Sequence, residues 1–173
     1  MGSTMLKWDI ISILTTILLG TASHFLYSLS GSFPAVGLFC PVNESVWEHV
    51  KLLYFPAVLA SLVQYRLMPT PCAFLSSRCI GILAGCAAIP LLYYSYTSLL
   101  GYGFLAADIG IFVFSSCLCF ALSHILTRCP QLCRKTSLWL LATAILGLCF
   151  MVFTFSPPHL PPFRDSVTGQ YGA

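Results

Sequence analysis

Five long apolar runs, separated by short polar or proline-containing segments, constrain the fold of this chain more than any other feature. A helix needs about 20 apolar residues to cross a hydrocarbon layer of about 30 Å, and each run has roughly that length. The hydropathy pattern therefore predicts an all-α integral membrane bundle. We expect its transmembrane helices at residues 8–27, 44–68, 76–97, 104–127 and 137–155.

The composition excludes an ordinary soluble domain. Apolar residues make up 58% of the 173 residues and charged residues only 8%, whereas about a quarter of the residues of a soluble domain are charged. The basic residues occur singly or in pairs, so the sequence offers no basic face for nucleic acid, and we expect no such partner. The first apolar run resembles a signal peptide in its small residues at 21–23, but it continues past them, which favours a transmembrane helix.

The basic residues predict the orientation of the bundle. Lys and Arg in short loops are retained on the cytoplasmic side of a membrane. An N-terminus inside and a C-terminus outside places all six loop-flanking basic residues in the cytoplasm: Lys7, Arg66, Arg78, Arg128, Arg134 and Lys135. Residues 1–156 are then a five-helix transmembrane domain, and residues 157–173 are an extracytoplasmic tail.

The most polar stretch inside this apolar chain is residues 41–51, which read PVNESVWEHVK. Asn43 is a possible N-cap of the second transmembrane helix, and so is Ser45 with Glu48 three residues later. Acidic residues at a helix start are stabilised by the helix dipole, and this is the simplest explanation for them. That explanation does not account for His49 or Lys51, which lie further into the helix.

The predicted orientation gathers four of the five acids and three of the four histidines at or near the outer face. Groups of this kind inside a membrane usually pair with one another or face a wet cavity, although a helix dipole accounts equally for His24 and Asp108 taken singly. One of the acids is the expected partner of Lys51. The candidate ligand-binding or ion-pair network comprises Asn43, Glu44, Ser45, Glu48, Lys51, Asp108, Arg164 and Asp165.

Histidine and carboxylate side chains together suggest a divalent metal such as zinc. The candidate ligands are His24, Glu48, His49 and His159, with Glu44 or Asp108 as a general base. No HExxH-type motif is present, so the metal is inferred from residue types and sidedness alone.

Two residues outside this group are interpreted as ordinary. His124 is expected to be a plain interface residue, and Asp9 is expected to tolerate substitution as well as His124 does. Glu48 and His49 are expected to tolerate it less well, because deleting one partner of a buried ionisable pair costs about 3 to 5 kcal/mol.

The tail is rich in Pro and Gly, a composition typical of disorder. We expect it instead to fold over the outer mouth of the bundle, with Arg164 paired to one of the acids. Phe163 and Tyr171 are expected to rest on an aromatic rim near Tyr93 and Tyr102.

The nine cysteines and the glycine stripe complete the set of candidate features. Cysteines inside apolar spans act as small apolar residues. Four others flank two loops on the predicted cytoplasmic side, but their spacings fit no strong zinc pattern: Cys72, Cys79, Cys129 and Cys133. Gly81 and Gly85 form a small-residue stripe through which another helix could approach closely.

Four segments carry a resemblance to a known family: His24-Phe-Leu-Tyr27, residues 41–49 followed by Lys51, and the tail segments 161–165 and 168–172. The specific part is the run Asn-Glu-Ser-Val-Trp-Glu-His at 43–49. In these segments the chain resembles an uncharacterised family of small multi-pass membrane proteins from Gram-positive, largely clostridial, bacteria. The resemblance implies a bacterial cytoplasmic membrane protein. It brings no established activity.

Two classes of function remain open from the sequence. The first is a metal-dependent membrane hydrolase or transferase that acts on a lipid or lipid-linked substrate at the outer interface. The second is a non-enzymatic protein, either a small transporter or an assembly partner that uses Gly81 and Gly85. Metal content, measured beside that of a His49→Ala variant, separates the two classes.

Overall fold

The computed structural model describes residues 2–173 as a bundle of long helices. The five long helices are α1 (Gly2–Leu29), α3 (Val46–Leu67), α4 (Phe74–Leu100), α5 (Leu105–Leu126) and α6 (Thr136–Phe155), and α2 (Pro34–Gly37) is a single turn in the first loop. Short 3-10 segments occupy Pro130–Lys135 and Pro161–Phe163. All five long helices are long and apolar enough to cross a membrane. The predicted all-helical fold with five helices of membrane-spanning length is confirmed.

The helix ends follow local sequence signals. Ser45 caps α3, and its side chain accepts a hydrogen bond from the Glu48 amide at 3.3 Å. Gly101 ends α4 in a left-handed conformation with φ of 80°, which costs a glycine little. α1 begins earlier than its apolar run, so Lys7 is helical.

Small residues set the spacing between α4 and α5. A Cβ atom on Gly81 would lie 2.2 Å from the Cys119 carbonyl oxygen, and one on Gly85 would lie 2.9 Å from that of Ser115. The glycine stripe is therefore occupied by a helix of the same chain. The core beside it is built from Leu53, Tyr54, Phe120 and Phe150.

The bundle has two chemically distinct ends. α1 and α3 run antiparallel, because Asp9 contacts Gln64 while Gly20 approaches Leu52. We call the end that carries the six basic residues listed above the basic end, and the end that carries residues 41–51 the motif end. Arg78 belongs to the basic end but is 2% exposed, so it is a buried residue and not a loop charge.

A disulfide joins Cys72 to Cys133 at the basic end, with a Cα–Cα separation of 5.3 Å. It ties the loop before α4 to the 3-10 segment before α6. Two of the four cysteines considered for a thiolate metal site are therefore bonded to each other. Cys79 is a buried free thiol and Cys129 a partly buried one.

The disulfide provides a test of membrane orientation. A cytoplasmic basic end, as the basic residues predict, would keep Cys72 and Cys133 reduced in cells, because cytosolic thiol systems reduce disulfides. We expect both thiols, trapped by acid precipitation of the cells, to react with a maleimide once the protein is redissolved at neutral pH in denaturant without reductant, in a variant whose other cysteines are replaced by Ala. Oxidised thiols would instead favour a basic end on the outer side.

The glycine contact provides a second test. Gly81→Ala forces α4 away from α5 and should cost about 1–3 kcal/mol of stability, as overpacking of a core does. Gly110→Ala is the matched control, because nothing lies within 4 Å of a Cβ added there. Thermal unfolding in detergent should show a lower midpoint for Gly81→Ala only, and equal midpoints would contradict the close approach.

Candidate functional site

A buried ion pair lies at the motif end. Lys51 is 0% exposed and Glu48 2% exposed, and Lys51 Nζ donates to Glu48 Oε2 at 2.7 Å. The ammonium also donates to the Gly37 carbonyl at 3.0 Å and to Thr154 Oγ1 on α6. All three of its hydrogen atoms have acceptors, as a buried lysine requires.

Both oxygens of the Glu48 carboxylate lie near donors. Oε2 accepts from the Val42 amide at 3.1 Å, and Oε1 lies 3.2 Å from Thr154 Oγ1, whose single hydrogen also has the Phe150 carbonyl at 2.7 Å as an acceptor. Glu48 therefore does not complete a reciprocal capping box. The Ser45 amide donates to Asn43 Oδ1 at 3.0 Å instead. Among the polar residues of the motif, Glu48 and Lys51 hold the fold together.

A second, more exposed group lies beside this pair. The ligand atoms of His24, Glu44 and His49 all lie within 4.8 Å of one another. Glu44 Oε2 is 3.3 Å from His49 Nε2, and Glu44 Oε1 is 3.7 Å from His24 Nε2. The two imidazole rings have centroids 5.3 Å apart. Side chains from α1, from the loop before α3 and from α3 thus converge on one point.

The backbone of the motif fixes the tautomer of His49. Its Nδ1 lies 2.8 Å from the Ser45 carbonyl oxygen, which only accepts, so Nδ1 carries a proton. A neutral His49 then directs the lone pair of Nε2 at the carboxylate of Glu44. Two lone pairs repel unless a cation lies between them. The contact therefore calls for either a proton on Nε2 or a metal ion.

The tail holds the backbone of Glu44 beside the two histidines. Ser166 Oγ donates to the Glu44 carbonyl at 3.0 Å. Its hydrogen bond with His49 lowers the pKa of the Glu44 carboxyl, although partial burial acts in the opposite direction. Glu44 is therefore ionised at neutral pH and available as an anionic ligand.

The tail of residues 157–173 packs on the motif end through hydrogen bonds and an aromatic contact. Asn43 Nδ2 donates to the Gly172 carbonyl and the Ala173 amide donates to the Thr154 carbonyl, each at 3.0 Å. Phe163 lies against Trp47 with centroids 4.7 Å apart. It packs on Trp47 and not on the tyrosine rim expected near Tyr93.

Arg164 and Asp165 differ from their expected roles. Arg164 Nε donates to the Gly169 carbonyl at 3.3 Å within the tail, and among residues 2–173 it forms no ion pair with the acids of the motif end. Asp165 accepts from the amides of Val167 and Thr168. Burial raises the pKa of Asp165, but these hydrogen bonds outweigh it and hold the pKa below its ordinary value.

The remaining candidates are not members of the triad of His24, Glu44 and His49. His159 stacks on Tyr171 with centroids 4.6 Å apart. Asp108 accepts a hydrogen bond from the Tyr96 hydroxyl at 2.5 Å. Of the four metal ligands predicted from the sequence, the structure brings together His24 and His49, and it supplies Glu44 in place of Glu48 and His159.

A buried charged network at the basic end is absent from the sequence-based predictions. Asp9 is 3% exposed, and its carboxylate accepts from Arg78, from Gln64 Nε2 at 3.2 Å and from His124, whose Nδ1 lies 2.6 Å away. The interpretation of His124 as a plain interface residue is wrong. Asp9 is equally unsuitable as a neutral reference, because its removal would leave Arg78 buried without a counter-ion.

Comparison with known proteins places the chain in a family. The profile of DUF6512, a family of unknown function, matches residues 1–173. The chain belongs to this family. The expectation of an uncharacterised family is thereby confirmed, and membership supplies no activity for the site. Comparisons with curated proteins and with solved structures find no match.

One sequence signal could have revealed the network at the basic end. Asp9 and Ser12 begin a series of polar or small residues at helical spacing along α1, and this is the face that is buried. On α3, the polar residue Gln64 follows an apolar run in the sequence, and in the structure it is 0% exposed. Polar residues on one face of a membrane helix mark the face turned toward protein.

The ion pair generates a stability prediction. Lys51→Met leaves Glu48 buried without its cation and should cost about 3–5 kcal/mol, because removal of one partner exposes the other to an apolar interior. Lys7→Met is the control, since Lys7 is exposed and surface substitutions usually change stability by less than about 0.5 kcal/mol. The midpoint of thermal unfolding in detergent measures both.

Replacement of both charges separates pairing from mere burial. The double variant Glu48→Gln, Lys51→Met should lose less stability than Lys51→Met alone, because no charge remains unpaired. A double variant at least as unstable as Lys51→Met would contradict the pairing.

Proposed function

We propose that this protein is a metalloprotein of the bacterial cytoplasmic membrane, in which His24, Glu44 and His49 bind a divalent cation such as zinc. The convergence of two imidazole Nε2 atoms and a carboxylate within 4.8 Å carries the proposal. Two histidines and one glutamate are a known zinc ligand set for catalysis. The resemblance to bacterial proteins supports the choice of membrane.

The arrangement fits a metal better than it fits a pair of protonated histidines. His49 Nδ1 is already committed to the Ser45 carbonyl, and such a hydrogen bond on the second nitrogen is the usual support of a metal-binding histidine. Without a metal, His49 would need a second proton, and with it a positive charge, to donate from Nε2 to Glu44. A single divalent ion satisfies all three groups at once.

The position of the triad favours chemistry at the membrane interface. His24 and His49 are about one-third exposed and Glu44 is 46% exposed, so a substrate has access to the site. Three protein ligands leave a further position open, where zinc acts as a Lewis acid and lowers the pKa of water. We propose hydrolysis or group transfer on a lipid or lipid-linked substrate, with Asp108 as the candidate general base.

Different residues of this chain have different roles in the proposed metal site. His24, Glu44 and His49 hold the ion, while Ser45 and Ser166 position the imidazole of His49 and the backbone of Glu44. Glu48 and Lys51 keep the start of α3 in place beneath the site. Glu44 is assigned to metal binding and not to proton transfer, because both of its oxygens face imidazole nitrogens.

Metal content tests the proposal directly. Protein purified without chelator and supplied with Zn²⁺ should retain about one ion per chain, measured by mass spectrometry, and Co²⁺ should give the visible absorption of a low-coordinate site. His49→Ala and Glu44→Gln should lose the ion. His159→Ala is the matched control, because His159 stacks on Tyr171 outside the triad.

The expected pH dependence follows from the ligands. Protons compete with a metal ion for imidazole nitrogens, so metal affinity should fall as the pH is lowered. Wild-type protein that retains no more metal than His49→Ala at pH 7.5 would overturn the metal site. It would leave a proton on His49 Nε2, and not a metal ion, between His49 and Glu44.

Activity is a separate measurement. Metal-loaded protein should release product from phospholipids or polyisoprenyl phosphates in mixed micelles, and His49→Ala should not. Stoichiometric metal without turnover on any lipid class would support a binding protein over an enzyme.

A further inference from the structure

A cavity of about 380 Å³ opens at the basic end, where three elements of the bundle meet. The first turn of α1 lines it with Thr4, the segment that follows α3 with Pro69 and Pro71, and the end of α5 with His124 and Arg128. Ligand cavities in proteins commonly measure about 300–1,000 Å³. This cavity is therefore large enough for a small molecule or for the headgroup of a lipid.

The end of α5 turns a basic face to the cavity. His124, Thr127 and Arg128 all line it, and spacings of three and four residues place them on one side of a helix. His124 Nδ1 lies 2.6 Å from Asp9 Oδ2, so Nδ1 carries a hydrogen and Nε2 is left for a ligand. Arg128 is exposed, and its side chain forms no ion pair among residues 2–173. The helix dipole stabilises a cation at this position, but it does not explain the cavity beside it.

The positive charge at this end has little compensation. The structure describes all five acidic residues, and Asp9 is the only one at the basic end. Its carboxylate already accepts hydrogen bonds from Arg78, Gln64 and His124, so it is not available to Arg128. The exposed basic residues at this end therefore add up to a positive potential around the cavity, which favours an anionic ligand.

The cavity lies at the depth of lipid phosphates. α1 has 28 residues and is about 42 Å long at about 1.5 Å per residue, so a centred helix extends about 6 Å past each side of a hydrocarbon layer of about 30 Å. Its first four residues, which include Thr4, then lie among the headgroups. Leu67 and Ile125 are exposed next to the lining residues Met68 and His124, so lipid chains begin beside the cavity.

The remaining walls suit an amphiphile better than a free ion. Met5, Met68, Pro69 and Pro71 present apolar surface to the cavity, which inorganic phosphate cannot use. The glycerol backbone and the first methylene groups of a phospholipid can pack against it. The prolines have fixed φ angles and methionine adapts to irregular shapes, so the wall is preformed and its side chains are adjustable.

We propose that this cavity binds the phosphate group of an anionic phospholipid. The guanidinium of Arg128 pairs with the phosphate, Nε2 of His124 forms a hydrogen bond with the headgroup, and the apolar wall contacts the glycerol backbone. The predicted orientation places this site in the inner leaflet, and basic pockets between transmembrane helices on that side bind anionic headgroups. The site lies at the opposite end from the triad of His24, Glu44 and His49 and does not require a bound metal.

Displacement of a labelled lipid tests the site. Chelator-treated protein, immobilised in a mild detergent, is incubated with radiolabelled phosphatidylglycerol and then with unlabelled phosphatidylglycerol, phosphatidylcholine or inorganic phosphate. We expect about one labelled lipid per chain, displaced by phosphatidylglycerol and not by an equal concentration of phosphatidylcholine. Equal displacement by the two lipids would overturn the site, and inorganic phosphate as effective as the lipid would overturn the choice of occupant.

Two pairs of variants separate the cavity from the general charge of this end. Arg128→Gln should weaken the affinity for phosphatidylglycerol about tenfold, because a hydrogen bond between charged groups is lost. Arg134→Gln removes the same charge from the basic end but not from the cavity, and should bind as wild type does. Neither arginine is buried, and thermal unfolding checks that both variants fold.

The second pair adds a carboxylate. Thr4→Glu and Ser3→Glu both place an acid in the first turn of α1, where the helix dipole stabilises it, but only Thr4 lines the cavity. Thr4→Glu should therefore repel the phosphate and reduce binding, and Ser3→Glu should retain it. Equal affinities within either pair of folded variants would contradict a phosphate in this cavity.

Discussion

The buried pair of Glu48 and Lys51 is the interaction on which the motif end depends. It joins α3 to the first loop through Gly37 and Val42, and to α6 through Thr154. Thr154 in turn accepts the amide of Ala173 through its carbonyl, so the tail is tied to the same centre. A buried charge pair of this kind tolerates little displacement, because every donor and acceptor must stay satisfied. The pair therefore fixes the position of the backbone beside the exposed triad of His24, Glu44 and His49.

Each end of the bundle contains a buried pair of opposite charges, and the two pairs are stabilised in different ways. At the motif end the charges are three residues apart on one helix, and other elements add neutral hydrogen bonds. At the basic end Asp9 and Arg78 come from different helices, and the guanidinium also lies over the rings of Phe74 and Phe120 at 4.9 and 4.7 Å. Cation–π contacts of this kind stabilise a guanidinium that lacks a full set of acceptors. The charged pair at the basic end thus connects two helices, whereas the pair at the motif end supports the backbone of the triad of His24, Glu44 and His49.

The number of long helices could be predicted from the sequence, because length and hydropathy alone decide whether a segment can span a membrane. The sequence was also sufficient to single out residues 41–51. It could not decide whether Glu44 or Glu48 meets Lys51, since both lie within reach on the same helix start. Thr154, which is 103 residues from Lys51, carries no local signal of its role. The tail was expected to bind through the charge of Arg164, whereas it uses backbone groups, Ser166 and Phe163, whose partners only the folded chain defines.

The separation between charged partners also bears on how the chain enters a membrane. Glu48 and Lys51 belong to the same turn of α3, so the two charges of this helix neutralise each other as soon as the helix has formed. Asp9 has no such neighbour, because Arg78 follows 69 residues later. The carboxylate of Asp9 is therefore without a counter-ion, a condition that is costly in lipid, until α4 has been synthesised. The order in which the helices are made thus decides when α1 can take its final place, because its buried charge is neutralised only after α3 and the start of α4 are present.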